Sequence, residues 1–224
     1  RGMGDSAGEF PGFETIDADV AGAINALRRH APSVKQIFLW GLCDATLAIC
    51  AQAVREPQIS GVVLLNPWVR TEAGQARAQL KHYYLRRVTD PDFLLKILRG
   101  RFNPVAALSS FAGNLYRAFR RGVPSPSDVA PGAAAANPLA QHMAQNLARF
   151  PGRILLILSG RDLTAKEFED AAQTSKPWRA LYADKRMTVR HLTESDHTFS
   201  RRAWRDQVAN WTSEWVASQI AYDR

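Results

Sequence analysis

Three short segments hold residues whose types and order suit nucleophilic catalysis. Cys43 stands in Trp40-Gly41-Leu42-Cys43-Asp44-Ala45, directly after an apolar run and before a helical stretch. A thiol on a tight strand-to-helix turn projects outward and sits at a helix N-terminus, where the helix dipole favours the thiolate. Asp162 follows a second apolar run, in Ser159-Gly160-Arg161-Asp162, and His197 follows a third strand, in Ser195-Asp196-His197-Thr198. The chemistry this order suggests is covalent acyl transfer. His197 takes the thiol proton and later protonates the leaving group, while Asp162 fixes the imidazole tautomer and stabilises its cation. The backbone N–H of Asp44, next after the nucleophile, is the expected oxyanion donor.

The elements that must position these residues are legible as alternating patterns. Gln36–Trp40, Gly61–Leu65, Ile154–Leu158 and Met187–Leu192 read as strands, the first three apolar on both faces as in buried parallel sheets. Asp17–His30, Asp44–Val54 and Ala203–Ala221 read as helices. Strand and helix in alternation predict an α/β fold with a mostly parallel sheet and helices on both faces. All three chemical segments then fall at the C-terminal ends of strands, where open α/β sheets place their ligands.

Between Arg70 and Phe150 the alternation breaks into helical patterns with no clear strand (Gly74–Arg87, Phe93–Arg99, Pro104–Arg120 and Pro138–Phe150), interrupted by the Pro, Ser, Gly and Ala-rich stretch Gly122–Asn137. The expected organisation is a core from 1–69 and 151–224 with a helical insertion at 70–150. That insertion is basic. Arg70 to Arg121 holds eleven Lys and Arg against three acids, the whole of the net +8 carried by the 224 residues. A solvated helix face is the plain reading of such charge. Substrate binding is the functional one, with Arg77, Lys81, Arg86 and Arg87, and Trp68 just before the segment, drawing in an anionic substrate or an anionic membrane surface.

Several classes are set aside. The 46 % apolar and 22 % charged shares are those of a folded globular chain. No apolar run approaches the roughly 20 residues of a spanning helix, and no secretory leader is evident. Cys43 and Cys50 would lie about 10 Å apart on one helix, too far for a disulfide, so free thiols in a reducing, cytoplasmic setting are expected. Cys50 reads as core. Gly2, Gly4 and Gly8 lack the strand–helix frame of a dinucleotide site. His30, His82, His142 and His191 lack metal-ligand spacing. No cofactor, metal or nucleic acid is expected, and the oligomeric state is open.

Two features resemble α/β-hydrolases. Arg1-Gly2-Met3-Gly4-Asp5-Ser6-Ala7-Gly8 is similar to the RGxGxS loop after their fourth strand, and Asp196-His197-Thr198-Phe199 to their catalytic-histidine loop. Cysteine, aspartate, histidine is also that fold's chain order. More narrowly, WGLCDA, LLNPWVRTEAG and LKHYYLRR resemble the exosortase A system-associated hydrolase 1 family, across essentially the whole chain. The resemblance implies an α/β-hydrolase fold with a helical lid, in proteins of bacterial exopolysaccharide gene clusters, and no defined substrate. Together with the residue order it leads to the expectation of hydrolysis of an ester or thioester of a small-molecule or lipid-linked acylated substrate. Acyl transfer, or a degenerate fold serving as a scaffold, are its alternatives. The elbow departs from Gly-x-Ser-x-Gly as Gly41-x-Cys43-x-Ala45. The resemblance further implies strands before Arg1, with the loop of the second oxyanion donor, so that the strand ending at Trp40 is expected to expose an apolar edge.

Overall fold

A computed structural model describes residues 2, 5–9, 16–69 and 137–222. In chain order they form α1 (Asp17–His30), β1 (Ile37–Leu42), α2 (Ala45–Ala53), β2 (Ile59–Leu65), α3 (Pro138–Arg149), β3 (Arg153–Ser159), α4 (Leu163–Thr174), α5 (Lys176–Tyr182), β4 (Met187–Leu192) and α6 (Arg202–Tyr222). The four strands make one parallel sheet in the order β1-β2-β3-β4. Their C-terminal ends are level, with Leu42 paired to Leu65, Leu65 to Ile157, and Ser159 to Leu192. The turns that leave β1, β3 and β4 therefore open on one edge of the sheet.

Successive side chains along a strand alternate between faces, and β2 and β3 use both. Val62, Leu64, Ile154, Leu156 and Leu158 pack under helices α1 to α5, with Met143, Leu147, Phe168 and Trp178 in the same core. Val63, Leu65, Leu155 and Ile157 face the other way, against Val208 and Trp215 of α6 and Phe199. Phe38 and Trp215 meet edge to face at 5.8 Å, and Gly61 makes room for them, since a Cβ there would stand 2.8 Å from both rings.

β1 differs from its expectation. It continues two residues past Trp40 to Leu42, and it is not buried on both faces. It ends the sheet among the described residues, and Trp40 is 53 % exposed. Helices α4 and α5, unassigned in the sequence, fill the β3–β4 crossover, capped by Asp162 and Ser175.

The insertion boundary also moves. Residues 70–136 of the expected insertion lie outside the described residues. Helix α3, expected within the insertion, packs instead on α2 and α5. Ala140, Met143, Ala144 and Leu147 repeat at i, i+3, i+4 and i+7 and are all buried, so one face belongs to the core. The Trp178 indole N–H donates to Ala140 O at 2.7 Å, tying α5 to α3. Asn137 caps α3, accepting from Ala140 N at 3.0 Å, and its amide donates to Val69 O at 2.6 Å.

Candidate active site

The turn after β1 is tight because its residues are small where the chain crosses itself. A Cβ on Gly41 would lie 3.0 Å from Ala45 Cβ and 2.6 Å from Ile49 Cδ1, so strand and helix approach only with glycine at one position and alanine at the other. Between them Cys43 takes a left-handed backbone, φ 61. For a residue with a Cβ that conformation costs roughly 1–2 kcal/mol. It is held by backbone bonds: Cys43 N donates to Leu65 O at 2.9 Å, and Trp68 N donates to Cys43 O at 3.3 Å. The Thr46 hydroxyl also donates to Cys43 O. Asp44 opens α2, its carboxylate accepting from Ala45 N at 2.8 Å.

Asp162 and His197 are joined. His197 Nδ1 lies 2.8 Å from Asp162 Oδ2. A carboxylate only accepts, so Nδ1 carries the proton and Nε2 is left to accept. Asp162 is 7 % exposed and its position is over-determined. As N-cap of α4 it accepts from Thr164 N and Ala165 N, each at 3.1 Å. The imidazole is about one-third exposed. The acid therefore sits fixed and buried, with the base between it and solvent.

The histidine loop is anchored along its length. Arg161 N donates to Ser195 O at 3.0 Å, and Phe199 is buried under α6 with φ 52. Asp196 accepts from Ser200 N at 2.9 Å and from the Ser200 hydroxyl. Those bonds hold its carboxyl below the usual carboxylate range. A lowered folded value means the bonds stabilise the loop above the unfolded pKa of about 3.9 and are lost as pH falls through the lower folded value. In an NMR titration the Ser200 amide should move with an inflection below about 3.9; an inflection at or above that value would refute the assignment.

Asn66 joins the three loops and was not singled out from the sequence. It follows β2, is fully buried and has φ 42. Its Nδ2 donates to Ser159 Oγ and to His197 O, each at 2.9 Å, and its Oδ1 accepts from Ser159 N at 2.8 Å. Its neighbours Leu65 and Trp68 hold the backbone of Cys43. Among the described residues, Cys43, Asn66 and Phe199 are the non-glycine residues with positive φ, and all three lie at this edge of the sheet. Strain retained at three points around one edge makes that edge the candidate functional site. The signal for Asn66 was present, since asparagine before proline at a strand end is a turn residue that tolerates the left-handed region.

Of the other sequence candidates, Trp68 is half-buried, with its backbone N–H on Cys43 O. Arg77, Lys81, Arg86 and Arg87 lie outside the described residues. Cys50 is buried in the core, unbridged like Cys43, and burial pushes its thiol far up. Among the described residues no group of three His, Cys, Asp or Glu could hold a metal ion, and no helix is long and apolar enough to cross a membrane.

Solved structures similar to this chain carry the same architecture. An esterase from Pyrococcus furiosus superposes with a TM-score of 0.56 at 13 % identity, over 97 % of this chain and 66 % of that one. An α/β hydrolase from Penicillium sp. sh18 gives 0.52 at 16 %, over 99 % and 78 %. A thermophilic esterase from Thermogutta terrifontis gives 0.50 at 19 %, over 98 % and 78 %. The chain thus spans about two thirds of the length of the Pyrococcus protein. No family model and no curated protein match it in sequence.

Proposed function

The chain has the α/β-hydrolase fold, and from that premise we propose that it hydrolyses an ester or thioester through an acyl-enzyme on Cys43. The observation that carries the proposal is the Asp162–His197 hydrogen bond at the same sheet edge as a strained, helix-capping cysteine turn. The esterases among the structural neighbours agree with it.

In this reading His197 Nε2 takes the Cys43 proton as the sulfur attacks the carbonyl carbon. Asp162 holds the ring as Nδ1–H and stabilises the imidazolium. The Asp44 backbone N–H, at the first turn of α2, receives the developing oxyanion. The tetrahedral intermediate collapses with cleavage of the carbonyl C–O or C–S bond, and His197 returns its proton to the departing alcohol or thiol. Water, deprotonated by the same imidazole, then attacks acyl-Cys43, and the carboxylic acid leaves with the thiol regenerated. An acceptor alcohol in place of that water makes the reaction a transfer.

The substrate we propose is acylated and anionic, attracted by the basic segment that includes Arg77, Lys81, Arg86 and Arg87, and linked to exopolysaccharide assembly. The WGLCDA and LLNPWVRTEAG resemblance supports that context. The test is intact mass at early times after mixing with p-nitrophenyl esters and acyl-thioesters. An acyl adduct that forms and decays in the native protein, and is absent from Cys43→Ala, is expected. Turnover that survives the alanine substitution would exclude Cys43 as the nucleophile, and folded protein with neither adduct nor turnover would favour a scaffold.

A further inference from the structure

We propose that Asn66 is a positioning residue for His197, setting the direction of its imidazole through the backbone of the histidine loop; the inference rests on His197 acting as the base for Cys43.

The ring of His197 is fixed at one end by Asp162, but one hydrogen bond to Nδ1 leaves the imidazole free to pivot with its backbone. The backbone is what Asn66 holds. Its carboxamide has two N–H donors and an acceptor oxygen, and each finds a partner: Ser159 Oγ, His197 O and Ser159 N. Ser159 relays the constraint one residue back, its hydroxyl donating to Asp196 O at 2.8 Å. Two consecutive carbonyls, those of Asp196 and His197, are thereby fastened to the ends of β2 and β3. Asn66 and Ser159 at the centre of the network are buried, where satisfied polar groups impose a single geometry.

The second observation is conformational. Asn66 holds φ 42, a conformation glycine adopts without strain. A residue needed only for the turn could be glycine. Asparagine at that position adds the carboxamide, whose three hydrogen bonds go to the histidine loop and the strand that leads to Asp162. A third link runs to the nucleophile, since Leu65 and Trp68 on either side of Asn66 bond the two backbone polar groups of Cys43. The residue after β2 therefore registers nucleophile and base to each other although neither touches its side chain through a reacting atom.

The test reads the Cys43 thiol directly, by its alkylation rate with iodoacetamide across pH; the buried Cys50 stays silent. Asn66→Gly keeps the left-handed backbone and removes the carboxamide alone. It should slow alkylation at neutral pH by about tenfold and move the profile toward the free-thiol range near 8.5, where His197→Ala should also lie. Ser159→Ala, which removes only the hydroxyl relay, should shift the profile the same way by less, and it carries the test should the glycine variant not fold. Circular dichroism of each variant verifies the fold. Folded variants with the native pH profile, beside a displaced His197→Ala, would overturn the positioning role alone. An undisplaced His197→Ala would overturn the base assignment and this inference together.

Discussion

A Cys43→Ala variant is expected to lose at least about 10⁴-fold in kcat while melting within about 3 °C of the native protein. The two halves of that expectation have separate causes. Activity falls because the covalent step has no alternative nucleophile at the turn, so only electrostatic and binding contributions remain. Stability is nearly unchanged because the strain belongs to the backbone: alanine at φ 61 meets the same Cβ–carbonyl crowding as cysteine. The bonds from Cys43 N to Leu65 O and from Trp68 N to Cys43 O involve no side-chain atom of residue 43 and persist. Cys43→Gly separates the two further, since it removes the crowding at some cost in backbone entropy and should be no less stable than alanine. Thermal denaturation beside single-turnover kinetics checks both. An alanine variant that unfolds, or that keeps more than about a hundredth of the native rate, would contradict this account.

Gly160→Ala should act in the opposite way, weakening the fold that holds the acid and histidine loops together. A Cβ at Gly160 would stand 2.0 Å from Thr193 O, 2.5 Å from its carbonyl carbon and 2.6 Å from its Cα. These are backbone atoms just past β4, which is held in register with β3 through the Ser159–Leu192 pair. Gly160 N itself donates to Leu192 O at 3.0 Å. No side chain can swing aside, so the acid loop and histidine loop must part. Overpacking that side chains can absorb costs about 1–3 kcal/mol; this clash should cost at least about 3 kcal/mol, a large share of a total near 5–15. Gly22→Ala is the matched control. It lies in α1 with nothing within 4 Å of the added methyl, and helix propensity should make it about 0.5–1 kcal/mol more stable. Urea denaturation of the pair should separate them widely, and similar midpoints would sink the steric argument.

How much of this was legible beforehand differs by element. The strands stood out because β2 and β3 are covered on both faces and so read as continuous apolar runs. Met187–Leu192 agrees with its expected bounds. Cys43, Asp162 and His197 were visible as residues that follow strands, because turn punctuation is local. Helix α4 was not visible, since its buried stripe is carried by Thr164, Ala165, Glu167 and Ala172 with only Phe168 strongly apolar. Its start signal, Asp162, serves two ends at once, since it both caps the helix and holds the histidine. The seven-residue α5 is too short for periodicity to register. Helix α3 was patterned correctly but assigned to the wrong partner, because an amphipathic stripe says that a face is covered and not what covers it. The turn character of Asn66 was readable, but its contacts were beyond reach for a different reason. Its partners Ser159 and His197 are 93 and 131 positions away, and only the register of the sheet brings them to it.

The Asn137–Val69 bond bears on how such a protein changes over time. Val69 is the last described residue before the long excursion and Asn137 the first after it, and a single 2.6 Å contact joins them. The two residues that flank positions 70–136 are therefore held side by side within the described core, as a page is held at its binding. Loop-closure entropy grows only with the logarithm of length, about 0.6 kcal/mol for each doubling, so what is bound there can lengthen, shorten or be exchanged with little effect on the strands. The stretch between those two residues can then be rewritten while the text of the sheet is copied unchanged.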